Sequence, residues 1–210
     1  MSDNPPAIRI LVVDDHPVLR AGVAAMLGNQ TDLAVVGEAA DGAEALVQFR
    51  ALQPDVVIMD LQMPRMNGIE ATMAIRAEAP SAKILVLTTY AGDVQAVRAL
   101  RAGATGYLLK NSLRTQIVDA VRSVHAGRRH IAPDVSEQIA LHVTDEQLTD
   151  RELSVLGLIA LGHANKEAAA ELGLAEETIK AHLKNIFLKL DVNDRTRAVT
   201  VAMERGILEI

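Results

Sequence analysis

The chain has 210 residues, half of them hydrophobic, enough for one large or two small domains with proper cores and too apolar for a disordered chain. Its aromatic residues are Phe49, Tyr90, Tyr107 and Phe187 alone, so cores must be built from Leu, Val, Ile, Met and Ala, and aromatic platforms for stacking bases or sugars are not expected. The absence of cysteine rules out disulfides, thiolate metal sites and cysteine nucleophiles, and a net charge of -6 argues against a protein that is basic all over while leaving room for a local basic face.

The start, MSDNPPAIRI, carries an acid and two prolines where a signal peptide would be basic and then apolar. The longest apolar stretch, around LSVLGLIALG, falls short of the roughly 20 residues of a membrane span, so a soluble cytoplasmic protein with no membrane partner is expected. From Ile8 to about His125 the runs IRILVV, LAVVGEA, DVVIMD, KILVLTT and TGYLL alternate with amphipathic helical segments, which predicts an α/β fold with a five-stranded parallel sheet and helices on both faces. Pro17 suits a first helical position, Asp41 a cap for the helix through Phe49, and Gly103 the end of the helix before ATGYLL; a fifth helix spans Ser112 to Ala126.

Residues 1–126 therefore read as one domain and 127–144 as a linker with Gly127 and Pro133, in which DVSEQIALHV can form a turn or more of helix. Over 145–210 strand patterns disappear. Thr149 with Glu152 forms a capping-box pattern, and helices follow over Asn165–Glu171, from about Glu176 to Leu190, and from near Arg195, interrupted at Gly162, Gly173 and DVNDR. This part is expected to be an all-α, four-helix unit containing a helix-turn-helix.

Two constellations carry chemistry. Asp14 and Asp15 close the first strand and Asp60 the third, so a flavodoxin-like strand order, 2-1-3-4-5, brings three carboxylates to one rim. They cannot all ionise there cheaply without a cation, and all-oxygen donors suit Mg2+. Thr88 and Lys110 end the fourth and fifth strands at the same rim, where a hydroxyl, an ammonium and a divalent ion would stabilise a transferred phosphoryl group. His16 reads as a helix-start residue beside this site rather than a ligand or phosphodonor, and Met59, Met63, Met66 and Met73 as core filling.

The segments VVDDHP, DVVIMDLQMPRMNG, ILVLTTY and AGATGYLLK, in this order, resemble the receiver domain of two-component response regulators over roughly Ile8 to His125. The resemblance implies Asp60 as phospho-acceptor, Asp14 and Asp15 holding Mg2+ with the Gln62 backbone carbonyl as a further ligand, Lys110 on the phosphoryl oxygens, and Thr88 with Tyr107 as the pair that reorganises on phosphorylation. Gln62 and Tyr90 stand where such domains tune hydrolysis of the acyl phosphate. Where many receivers carry proline after the lysine, this chain has Asn111.

The second constellation lies in LAEETIKAHLKNIFLKL. Ile179, Leu183, Ile186, Phe187 and Leu190 make one apolar stripe, and Thr178, Lys180, Lys184 and Asn185 lie opposite, with Lys189 further on. The stretch from LTDRELS to RTRAV resembles the LuxR-type helix-turn-helix domain, which together with the receiver implies a regulator of the NarL/FixJ type. By that resemblance Lys180, Ala181 and Lys184 enter the major groove, and Asn165, Lys166, Thr178, Asn185, Lys189 and Arg195 contact phosphates. Ala168 stands where family members often carry a larger aliphatic residue.

The expected function is transcription regulation rather than enzymology: a histidine kinase phosphorylates Asp60, and a homodimer binds pseudo-palindromic double-stranded DNA. Two other classes stay open on the residues alone. A small-molecule aspartyl-phosphate phosphohydrolase would need a substrate pocket or cap insertion, for which the short connections leave no room. A helix-turn-helix that contacts protein would lack the steep salt dependence of DNA binding.

Overall fold

The computed structural model describes residues 6–89 and 92–208; Tyr90 lies outside them. These residues divide into two compact units. One comprises the chain up to Thr89 with Ala96–Ser136, the other the chain from Glu137 onward with the segment ending at Gln95.

In the first unit β1 (Ile8–Val13), α1 (Pro17–Gly28), β2 (Leu33–Ala39), α2 (Gly42–Leu52), β3 (Val56–Met59), α3 (Gly68–Glu78), β4 (Ile84–Thr88), α4 (Asp93–Ala102), β5 (Gly106–Leu109), a 3-10 turn (Lys110–Ser112), α5 (Leu113–His125) and β6 (His130–Ile131) follow one another, and α6 (Pro133–His142) leads onward. The sheet order is β2-β1-β3-β4-β5-β6, all parallel. Five strands take the expected order. The sixth is an addition to the five expected: His130 and Ile131, within the stretch read as linker, pair with Gly106 and Tyr107, and the helix allowed for in that stretch runs for ten residues from Pro133. Two residues are too few to show a strand period, so the edge strand left no pattern.

Burial follows position in the sheet. The strands β3, β4 and β5 are buried along their whole length, as parallel strands covered on both faces must be, whereas β2 at the edge is mostly half-buried. One side packs Ile10, Val12, Ile58, Leu85 and Leu108 against α1 and α5; the other packs Leu11, Val13, Val57 and Met59 against α2 and α3. Met59, Met63 and Met66 join this second layer, but Met73 is 58% exposed on α3 and fills no core.

Helix ends follow their signals. Pro17 opens α1, the Asp41 carboxylate accepts from Glu44 N to cap α2, and Gly103 (φ 110°) ends α4. All described peptide bonds are trans, Lys110–Asn111 included.

The second unit contains α7 (Asp150–Ala160), α8 (Asn165–Leu172), α9 (Glu176–Lys189) and α10 (Arg195–Glu204). Val155, Leu156, Ile159, Ala168, Ala169, Ile179, Leu183, Ile186, Leu190, Ala198 and Ala202 form its core, so the stripe on α9 faces inward as its period requires. Ala168 is fully buried between neighbours. Gly173, left-handed at φ 64°, makes the tight turn between α8 and α9.

Candidate phosphoryl-acceptor site and nucleic-acid interface

The backbone brings the acids together. Asp14 N donates to Ala39 O and Asp60 N to Val13 O, which aligns the carboxyl ends of β2, β1 and β3 at one rim. Asp14 and Asp60 are buried, Asp15 half-buried, and one ligand atom from each of these three and from His16 lies within 4.8 Å of the others. Lys110, just beyond β5, reaches Asp14 Oδ2 at 2.8 Å and Asp60 Oδ2 at 2.9 Å. Asp60 Oδ1 accepts from its neighbour's amide, Leu61 N, at 2.8 Å.

Burial pushes the Asp60 carboxyl above its ordinary range, and the Asp14 charge adds to this while Lys110 opposes it. Burial works against the Lys110 ammonium too, but hydrogen bonds to Asp14 and Asp60 hold it above its usual value. Three carboxylates gather at a rim with one ammonium, which pairs with two of them, and with all three ionised the negative excess of two is what one divalent cation would balance. The fit to Mg2+ is good in charge and in donor type.

Thr88 ends β4 and Tyr107 stands in β5, and both are fully buried. Burial raises the phenol pKa well above its ordinary value, and Asp60 adds to this. Gln62 lies exposed in the loop between β3 and α3, two residues beyond Asp60. His16 stands at the start of α1 as expected but its side chain makes no capping hydrogen bond; its Nδ1 lies instead 2.7 Å from Asp15 Oδ1 and 3.3 Å from Asp14 Oδ1.

On α9 the residues expected to face DNA are the uncovered ones. Lys180, Ala181, Lys184 and Asn185 are exposed and Thr178 is half-buried; on α8 Lys166 is exposed and Asn165 half-buried. The Lys180 ammonium contacts Glu177 at 2.8 Å and Glu176 at 3.3 Å, and the hydrogen bond to Glu177 chiefly raises its pKa. Arg195 donates to His163 O at 2.9 Å, tying the start of α10 to the turn before α8.

Lys189 is differently placed. Its side chain is 11% exposed and joins Glu152 Oε2 (3.0 Å), Glu146 Oε1 (3.1 Å) and Gln147 O (3.1 Å). Glu152 is itself buried and completes the Thr149 capping box. Burial opposes its charge, but the Thr149 amide and Lys189 hold its carboxyl below the ordinary range. A lysine so engaged is a strut of the helical unit. Helical spacing alone could not show this, because its partners come from 37 to 43 residues earlier in the chain.

Comparison with known proteins agrees with both halves. Residues 10–122 match the family model "Response regulator receiver domain" and residues 146–202 match "Bacterial regulatory proteins, luxR family". The response regulator protein VraR of Staphylococcus aureus is 39% identical over 207 residues, covering 96% of this chain and 99% of that protein. Among solved structures, the response regulator ChrA of a heme-sensing two-component system is 37% identical, with a TM-score of 0.59 over 97% of this chain and 100% of the other. An RcsB–DNA complex is 26% identical, with a TM-score of 0.72 over 94% of this chain and 98% of the other. The chain thus belongs to the LuxR-type response regulators, phosphorylation-controlled transcription regulators that join a receiver to a helix-turn-helix output domain.

Proposed function

We propose that Asp60 is the phospho-acceptor of this regulator and that a partner histidine kinase is its donor. The observation that carries this reading is the Lys110 bridge between the buried Asp14 and Asp60 carboxylates. An Asp60 oxygen attacks phosphorus, the P–N bond of the phosphohistidine breaks, and the imidazole leaves and takes up a proton. Asp14, Asp15, Asp60 and the Gln62 carbonyl would hold Mg2+, which supplies positive charge to the transferring group. Lys110 moves its contact from Asp60 Oδ2 to a phosphoryl oxygen. Thr88 turns its hydroxyl to another, and the Tyr107 phenol reorients in response.

In the output unit Lys180, Ala181 and Lys184 read bases in the major groove, and Asn165, Lys166, Thr178, Asn185 and Arg195 contact phosphates. Lys189 is left out of that set because its ammonium is spent on Glu152 and Glu146. The presence of DNA in the RcsB complex supports this reading. Phosphorylation promotes dimerisation, release of the output domain, or both, and the dimer occupies two half-sites in the cytoplasm.

The test is labelling with a radioactive small-molecule phosphodonor and Mg2+. Wild type should acquire an acid-stable, base-labile label, and Asp60→Asn none while keeping its circular-dichroism spectrum. A label retained on Asp60→Asn would overturn the assignment.

A further inference from the structure

The loop between β3 and α3, residues 61–67, carries Gln62 and is fastened at two places. At its base Gly68 N donates to Leu61 O at 2.9 Å; a Cβ on Gly68 would lie 1.9 Å from Asp60 O, so α3 can start this close to the acceptor strand only with glycine there. At its far side the loop meets the start of α2. Gly42 N donates to Met66 O at 3.1 Å, and a Cβ on Gly42 would come within 2.8 Å of that same oxygen.

Beside this contact the exposed Arg65 guanidinium pairs with the Asp41 carboxylate, which is 1% exposed and already caps α2 through Glu44 N. Arg65 sits at φ 67°, in the left-handed region where glycine or asparagine is the usual occupant. A long cationic side chain at a position whose backbone favours glycine is compensated by what the side chain does. Here it neutralises a buried carboxylate on a neighbouring element.

We infer that the Arg65–Asp41 pair is a positioning device for the divalent cation. It pins the loop from its far side so that the Gln62 carbonyl is presented toward the Asp14, Asp15 and Asp60 carboxylates before the cation arrives. The inference rests on the metal-site reading above and adds two residues that touch neither the cation nor the phosphoryl group. Without the pair the far side is held by the single Gly42–Met66 backbone hydrogen bond, and the remaining ordering of the loop must be drawn from the free energy of metal binding.

The experiment uses the full chain and Mn2+, whose free form is counted by electron paramagnetic resonance, with Mg2+ as competitor. Arg65→Gly removes the cation while suiting the backbone, and Asp41→Asn removes the charge while keeping an oxygen to cap α2. Each should weaken Mn2+ and Mg2+ binding about tenfold, the lower end for groups that orient metal ligands. The double variant should be no weaker than the single ones, and Arg65→Lys should be intermediate. In phosphodonor assays the apparent constant for Mg2+ should rise while the rate at saturating Mg2+ stays near wild type. A purely structural pair would instead lower the melting temperature and leave the affinity of the folded protein unchanged. Wild-type binding with unaltered affinity in Arg65→Gly and Asp41→Asn would overturn the clamp and spare the metal site. A wild type that binds neither ion would overturn the metal site and the clamp with it.

Discussion

At the scale of single residues, the rim of Asp14, Asp15 and Asp60 holds an electrostatic conflict that a bound cation would relieve. Burial and the nearby Asp14 charge raise the Asp60 pKa, so the folded state holds that proton more tightly than the unfolded chain does. Asp60 therefore favours folding at low pH, and this contribution is lost as pH climbs from the ordinary carboxylate value, 3.8, through the raised folded one. Asp60→Asn removes the buried charge and should melt a few degrees above wild type at pH 7, with the gap shrinking toward pH 4. Added Mg2+ should close the gap from the other side, since a cation that binds the folded acids stabilises wild type. Scanning calorimetry of both proteins with and without Mg2+ checks this, and an Asn variant less stable than wild type at pH 7 would contradict it. Glu152 carries the opposite sign. Its folded pKa is depressed, so its contribution is present above its ordinary value of 4.5 and is lost as pH falls through the folded one.

At the scale of elements, what was legible in the sequence is what is periodic or local. The strand runs, the Asp41 cap, the Thr149–Glu152 box and the inward stripe of α9 are each specified within a few consecutive residues, and each is found. The acids at strand ends could be brought to one rim as soon as a strand order was assumed. Pairs distant in sequence left no such trace. Lys189 with Glu152 and Arg65 with Asp41 depend on packing between elements, and Met73 shows that an apolar side chain on a helix need not face the core. The two lysines of α9 should accordingly behave differently. Lys184→Ala removes an exposed charge and should cost DNA affinity, by about 1 to 3 kcal/mol with relaxed base preference if it reads a base edge, at unchanged melting temperature. Lys189→Ala leaves the buried Glu152 without its cation and should lower the melting temperature of the helical unit by several degrees, its loss of DNA binding following that of folding. Thermal melts alongside gel shifts separate the two, and a Lys189→Ala protein of native stability that still loses DNA affinity would return Lys189 to the phosphate contacts.

At the scale of the whole molecule, each unit has its own core, so unfolding need not be one transition and the output unit should fold alone. From Asp145 to Ile210 acidic residues outnumber basic ones, so attraction to DNA must come from a local set of basic residues rather than from net charge, and Lys166, Lys180, Lys184 and Arg195 are the ones proposed. A face this small buries only about 600–1,000 Å2 against DNA if it resembles other single modules, which makes occupancy by one copy weak and sensitive to salt. Two copies on adjoining half-sites add their contacts without any new one, and a phosphorylation event that raises dimer content thereby raises occupancy. The fragment from about Asp145 to Ile210 should bind DNA with no phosphorylation at all. The intact unphosphorylated chain should bind the same duplex more weakly at the same salt concentration, and phosphorylation should recover the loss together with a shift from monomer to dimer in sedimentation. Tighter binding by the fragment than by the intact chain marks restraint of the output unit by the receiver. Equal binding would leave dimerisation as the sole route, because a receiver that costs the free output unit nothing has nothing to release.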